Sequence, residues 1–240
     1  MRLDVYLCES GLAASRTEAK NFILNGDASV DGRIIKKPAF EVTEASEVKL
    51  DRTSKKYVSR GGIKLESALD AFCIDVSGAR ALDVGASSGG FTDCLLQRGA
   101  AHVIAVDSGT MQLSESLRGD GRVTSIEGFN ARYMKPEDFE YVPDVTVMDV
   151  SFISATYIMP SIYNCLAEGG RFICLVKPQF EVGRANIGKG GVVKDAKARE
   201  RAVAQVIDFA KNLGFAHKGT IVSPIEGGDG NVEYLAYFVK

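Results

Sequence analysis

At 240 residues, 45% apolar and 25% charged, the chain has room for one full α/β domain and a small appendage. Its 29 basic and 31 acidic side chains leave a net charge of −2, so overall charge makes no case for nucleic acid and any such contact must come from local patches. No apolar run reaches the roughly 18 residues of a membrane span. The opening MRLDVYLCESG is too polar and too broken for a signal peptide, which makes a cytoplasmic location the expectation. Five cysteines (Cys8, Cys73, Cys94, Cys165, Cys174) are scattered without a C-x-x-C pair. They read as reduced core thiols, not a disulfide frame or a zinc site, and no metal is expected.

Residues 1–50 form a first unit. Leu3, Tyr6 and Leu7 have helical spacing. A second helix opens at Ser15 with Glu18 three places on, a capping-box pattern, and closes at Asn25-Gly26. Its Ala19, Phe22 and Ile23 point inward, while Arg16 and Lys20 share an exposed face. Short strands follow around a turn at Asp31-Gly32, with Arg33, Lys36 and Lys37 after it and a last strand ending at Val48-Lys49-Leu50. The unit is slightly basic: residues 1–60 carry +2 and residues 61–240 carry −4. The segments RLDVYL, SRTEAKNFILNG and VDGRIIKKPAFEV resemble the small α+β RNA-binding domain named after the fourth small-subunit ribosomal protein. That resemblance implies that Arg16, Lys20, Arg33, Lys36 and Lys37 face RNA phosphates, fixing position without reading bases.

Residues 51–59, DRTSKKYVS, read as a linker, and residues 60–240 as the large domain. Two glycines open an amphipathic helix with Leu65, Ala68, Leu69 and Phe72 on one stripe. Lys64 falls at its start, where a positive charge is disfavoured unless something holds it there. ALDVGASSGGFTDCLL then reads as strand, tight loop and helix (Phe91–Gln97). HVIAVD is the second strand. Leu113–Leu117 is a short helix, RVTSIEG the third strand, and PDVTVMDVSF the fourth, ending at Asp149. Helical SATYIMPSIYNCLAEGG precedes the fifth strand, RFICLVKPQF, which ends at Lys177-Pro178. GRANIGKGGVVKD is a glycine-rich basic loop of the kind that covers a site. Lys197–Leu213 is a long helix stopped by Gly214, and TIVSPIEG and EYLAYFVK are two antiparallel closing strands. This alternation suits a Rossmann-like class I methyltransferase sheet with helices on both faces.

The loop after the first strand carries the first chemistry. Gly85, Gly89 and Gly90 allow close approach of a ligand, and Ser87 and Phe91 line the same loop. Asp107, 22 positions after Gly85, is placed to hold ribose hydroxyls. The pattern D-x-G-x-x-x-G-G is not G-x-G-x-x-G, and no lysine follows as a phosphate loop would require. A nucleoside ligand without a pyrophosphate fits better, and S-adenosylmethionine is the common one. Asp83 supports the loop or meets the cofactor's amino group, and Asn130, after the third strand, lies near the adenine.

Asp149 and Lys177 each end a strand, Lys64 begins a helix, and Glu233 opens the last strand after GGDGNVE. In open α/β sheets the ligand crevice lies outside the strands' carboxyl ends. The segments RGGIKL, DVGASSGGFTD, AVDSG, MDVSFIS, LVKPQFEVGR, KGGVVKD and GNVEYL resemble the FtsJ-like ribose 2′-O-methyltransferases. With the N-terminal unit, the chain resembles the TlyA family, often labelled hemolysin A. The resemblance implies a Lys-Asp-Lys-Glu tetrad at Lys64, Asp149, Lys177 and Glu233 and methylation of ribosomal RNA at cytidine ribose. A ribose 2′-hydroxyl must lose its proton as it attacks. A neutral lysine can take that proton, but free lysine holds its own up to about pH 10.4, so desolvation and a second ammonium are needed. Lys177 is therefore assigned as base and Lys64 as the charge stabilising the attacking oxygen, with Asp149 and Glu233 orienting them.

Rival chemistries lack their markers. An exocyclic amine methylase wants D/N-P-P-Y/F, where the chain has Asp149-Val150-Ser151-Phe152; a C5-pyrimidine methylase wants a cysteine after that strand. A non-catalytic ribosome-assembly scaffold is the second reading. A membrane-lysing protein is the third, and no strongly basic amphipathic helix supports it.

Overall fold

The computed structural model describes residues 1–13, 15–43, 45–50, 56–183, 186–227 and 230–240. Two compact units emerge, Met1–Arg60 and Gly61–Lys240. Most of the expected linker, 51–55, lies outside the described residues.

The small unit holds α1 (Leu3–Glu9), α2 (Arg16–Asn25), β1 (Ala28–Val30), β2 (Arg33–Ile34) and β3 (Val48–Leu50), its antiparallel sheet running β2-β1-β3. The Ser15 side chain accepts the Glu18 amide at 3.1 Å, and Gly26 ends α2 in the left-handed region. Asp31 and Gly32 both take positive φ, the backbone a two-residue hairpin needs. Leu3, Leu7, Ala19, Ile23, Ala28, Val30 and Val42 close the core.

The large unit runs α3 (Gly61–Ala71), β4 (Arg80–Val84), α4 (Gly90–Gln97), β5 (His102–Val106), α5 (Glu115–Arg118), β6 (Val123–Ile126), β7 (Val145–Met148), α6 (Met159–Cys165), β8 (Arg171–Val176), α7 (Pro178–Glu181), α8 (Ala196–Leu213), β9 (Ala216–Val222) and β10 (Tyr234–Val239). The seven-stranded sheet is ordered β6-β5-β4-β7-β8-β10-β9. Its first five strands are parallel, and β10 inserts antiparallel between β8 and β9. The four inner parallel strands, β4, β5, β7 and β8, are buried on both faces and so read as largely apolar runs, while the edge strand β6 is only partly buried. Leu82, Val84, Ile104, Val106, Met148 and Phe172 pack with α6 and α8 on one face. On the other, the Asp83 side chain meets α4 through Thr92.

Four expectations shift, the first being the strand expected at TIVSPIEG, which instead runs as β9 over Ala216–Val222 and stops ahead of Pro224. The fifth strand stops at Val176, because Pro178 starts the four-residue helix α7. The short helix lies at Glu115–Arg118, beyond a segment tied up by other contacts. Of the cysteines, Cys94, Cys165 and Cys174 are buried and Cys8 is intermediate, but Cys73 is exposed, because the chain leaves α3 there through a left-handed turn.

Candidate active site

The strand order reverses between β4 and β7, and there a cleft of about 720 Å³ opens beyond the carboxyl ends of the strands. Gly85, Ser87, Asp107, Asn130, Asp149 and Ser151 line it, with Val150, Phe152, Ile153 and Ile158 supplying an apolar wall. The chain ends of β4 and β7 come so close that a Cβ at Gly85 would run into the Asp149 carbonyl oxygen, and φ at Gly85 is +83°. Gly89, also left-handed, leaves its space to Leu113 and Leu117.

Asp107 organises the loop. Its Oδ2 accepts the Ser87 amide at 2.8 Å and its Oδ1 the Gly109 amide at 2.7 Å. Each carboxylate oxygen retains a lone pair for a hydroxyl donor. Asn130 caps the following turn by accepting the Arg132 amide at 3.1 Å. Among the described lining residues the charges are the carboxylates Asp107 and Asp149, with no Lys or Arg. Such a wall suits a cationic nucleoside and repels a pyrophosphate.

Asp83, Gly89, Gly90 and Phe91 are not among the residues lining this cleft. Gly90 and Phe91 are buried in the first turn of α4. Asp83 is fully buried; its Oδ2 accepts the Thr92 hydroxyl at 2.6 Å and its Oδ1 meets no donor. Burial pushes its carboxyl up to about 7, against the Thr92 hydrogen bond and aided by the negative charge of Asp149.

The four residues of the expected tetrad form two ion pairs. Lys177 Nζ lies 2.5 Å from Asp149 Oδ1 and donates to Ser151 Oγ at 2.8 Å. Lys64 Nζ donates to Glu233 Oε2 at 2.5 Å, and both side chains are buried. Gln179, two residues after Lys177 in the chain, donates to Glu233 Oε1 at 3.3 Å. The topology explains the meeting. Tyr234 pairs with Val176 across β10 and β8, so Glu233 and Lys177 fall at the same sheet end, and β7 places Asp149 beside β8. A Cβ at Gly227 would overlap Glu233 Oε1, so a glycine there lets the chain fold back over the carboxylate.

Sequence reasoning passed over four contributors. Ser151 accepts from Lys177, and Gln179 donates to Glu233, as described. Glu127 accepts the amides of Met111, Gln112 and Leu113, which hold its carboxyl below the usual range and secure the segment over Gly89. Glu181, its carboxyl raised by burial, accepts the Ser154 hydroxyl at 2.6 Å and the Ala155 amide at 2.8 Å, anchoring the far end of the loop that carries Asp149 and Ser151. Clustering of K-P-Q-F-E in sequence was the available signal for Gln179 and Glu181. Of the basic loop, residues 184–185 lie outside the described set; farther on, Asn231 bonds Val193 N and Gly191 O.

Residues 57–240 match the FtsJ-like methyltransferase family, and residues 1–48 match the S4 domain. The chain belongs to the FtsJ-like methyltransferase family. It is 45% identical to the 16S/23S rRNA (cytidine-2′-O)-methyltransferase TlyA of Mycobacterium tuberculosis, over 98% of this chain and 88% of that one. It is 43% identical to Hemolysin A of Brachyspira hyodysenteriae over the whole of both. A solved structure from Streptococcus thermophilus, described as a hemolysin candidate, superposes with a TM-score of 0.80 at 44% identity, covering 100% of this chain and 88% of that one. Fibrillarin of Aeropyrum pernix, 20% identical with a TM-score of 0.52, shares the large unit's fold. Among the described residues, no helix is long and apolar enough to cross a membrane.

The methyl donor of the FtsJ-like family is S-adenosylmethionine, and the cleft fits it in size, in its acidic lining and in the bare backbone at Gly85. In the S4 unit, Lys20, Arg33 and Lys37 are exposed and Lys36 is half-buried. Arg16 is also exposed, yet its guanidinium is 3.1 Å from the buried Asp4, which Arg2 also grips. These arginines hold the Asp4 carboxyl below its ordinary range, the Arg2 hydrogen bond contributing most.

Proposed function

We propose that this protein methylates a ribose 2′-hydroxyl, that of a cytidine, in ribosomal RNA in the cytoplasm, with Lys177 as general base. The names and identity of the TlyA relatives support the substrate class, and the FtsJ-like family the transfer. The observation that carries the base assignment is the pairing of Lys177 with Asp149 and Ser151, both of which line the cleft. Gly85, Ser87, Asp107 and Asn130 would hold the nucleoside part of the donor, and Asp83, Gly89, Gly90 and Phe91 would support that loop from behind.

Bound S-adenosylmethionine supplies a methyl group on a sulfonium, which departs as a neutral thioether. The protein must orient the ribose oxygen and remove its proton. Lys177 Nζ, steered by Asp149 and Ser151, would receive that proton in its neutral form. Lys64, held by Glu233, would stabilise negative charge on the oxygen. Asp149 and Glu233 keep the cluster near neutrality, so two ammoniums can share a small space. Lys20, Arg33, Lys36 and Lys37 of the S4 unit would bind RNA phosphates.

The test is Lys177→Ala in a single-turnover assay on unmodified ribosomal RNA, read by nucleoside mass spectrometry. Loss of a base costs about 10²–10⁴-fold in rate, while calorimetric affinity for S-adenosylmethionine should stay within a factor of two to three, roughly. Methyl transfer at the parental rate would remove Lys177 from the chemistry. A parent that binds the donor but leaves every rRNA ribose unmodified would favour an assembly scaffold.

A further inference from the structure

Beside the cleft, one exposed cation stands apart from the ion pairs that hold most of the site together. Asn130 and Ala131 line the cleft, and the chain then turns out through a single 3₁₀ turn, Ala131–Tyr133. Arg132 projects from it. Its guanidinium carbon lies 4.8 Å from the ring centroid of Tyr157 and 5.7 Å from that of Tyr133. Both rings are exposed, Tyr133 at 67% and Tyr157 at 55%. Among the described residues Arg132 forms no ion pair, although Glu137 and Asp138 follow closely in the chain. The turn beneath is fixed: Asn130 caps it, the Ser161 hydroxyl on α6 donates to the Arg132 carbonyl at 2.7 Å, and Met134 is buried.

Arg132, flanked by the exposed ring of Tyr133 on its own turn and that of Tyr157 on a second turn, presents a planar cation with no carboxylate partner among the described residues, a surface that suits a partner both flat and anionic. An unpaired nucleotide is both, having a π face for the rings or the guanidinium plane and a phosphate for the charge. We infer that Arg132, Tyr133 and Tyr157 form a stacking platform for an unpaired RNA nucleotide that flanks the methylated ribose. The inference rests on the proposed ribose methylation, since the platform borders the cleft through Asn130, Ala131 and Ile158. It gives the large unit an RNA contact of its own, chemically different from the phosphate contacts proposed for the S4 unit. Recognition by stacking selects unpaired RNA over duplex and tolerates changes of base.

The experiment compares the full-length parent with Tyr157→Ala, Arg132→Ala and Arg132→Lys. Binding is read by fluorescence anisotropy with an unstructured RNA oligonucleotide and with the same strand paired into duplex. Methylation is read as kcat and KM on unmodified rRNA. Loss of one stacking partner should weaken single-strand binding by about tenfold and raise KM for rRNA, with duplex binding, donor affinity and melting temperature unchanged. Arg132→Lys should fail to restore binding, because an ammonium is not planar. Parental single-strand binding in Tyr157→Ala and Arg132→Ala, or full rescue by Arg132→Lys, would overturn the platform. A parent that methylates no rRNA ribose would instead refute the proposed methylation, while the anisotropy comparison would still decide whether the platform binds RNA.

Discussion

Replacing Asp83 by asparagine makes a sharp test of how this site is built. The carboxyl is fully buried, accepts one hydrogen bond and is pushed up to about 7 from an ordinary value of 3.8. The folded state therefore keeps the proton over a range where the unfolded chain has released it. The stability this provides is complete below the unfolded pKa and is lost as pH rises through the folded one. Each tenfold change in proton affinity is worth about 1.4 kcal/mol, so the full span is about 4 kcal/mol, more than half of which disappears between pH 5 and pH 8. The asparagine does not titrate. Its new amide hydrogens have no acceptor assured, which sets a pH-independent cost of about 1–3 kcal/mol. Urea unfolding of parent and Asp83→Asn at pH 5, 6, 7 and 8 separates the two effects: the offset is the amide, the slope is the carboxyl. The variant should gain on the parent by about 2–3 kcal/mol from pH 5 to pH 8. A difference that stays flat across that range would show that Asp83 is ionised in the folded protein, and the reasoning from burial would fail.

Other perturbations report on neighbouring parts. Gly85→Ala forces a side chain into left-handed backbone at about 1–2 kcal/mol and into the Asp149 carbonyl; calorimetry should show donor affinity lost and thermal scanning a lowered Tm. Glu181→Ala strips the Ser154 hydroxyl and the Ala155 amide of their acceptor. It should lower kcat more than it changes donor affinity, and Glu181→Gln, which keeps an acceptor, should recover part of the loss in the same assay. Arg16→Glu would set a carboxylate beside the buried Asp4 and destabilise the S4 unit, so a fall in RNA binding there reports unfolding. The clean charge reversals are Lys20→Glu and Lys37→Glu, which should each reduce the slope of log affinity against log salt by about one. An unchanged slope would move the RNA surface elsewhere.

Much of this was legible in the chain itself. Helix α2 carries its own start and stop in Ser15 and Gly26, and both act as caps. The buried strands announce themselves as apolar runs because both faces are covered. The loop from Gly85 to Gly90 advertises a turn that side chains would obstruct. These are local properties, set by backbone sterics and by periodicity over a few residues, and family likeness supplied the expectation that Lys64, Asp149, Lys177 and Glu233 act together.

What no local pattern contains is which groups meet. Lys64 and Glu233 are separated by 169 positions. They meet because β10 enters the sheet antiparallel beside β8, which turns its first residue toward the ends where the parallel strands finish. The same holds for Glu127 beneath Met111–Leu113, for Glu181 on Ser154 and for the Tyr157 ring against Arg132. The isolation of Asp83 belongs here too, since a carboxylate's ionisation depends on the water excluded around it. Composition and spacing settle which elements form; sheet order decides which charges become partners, because Coulomb and hydrogen-bond energies depend on distances of a few ångströms that only the packed chain defines.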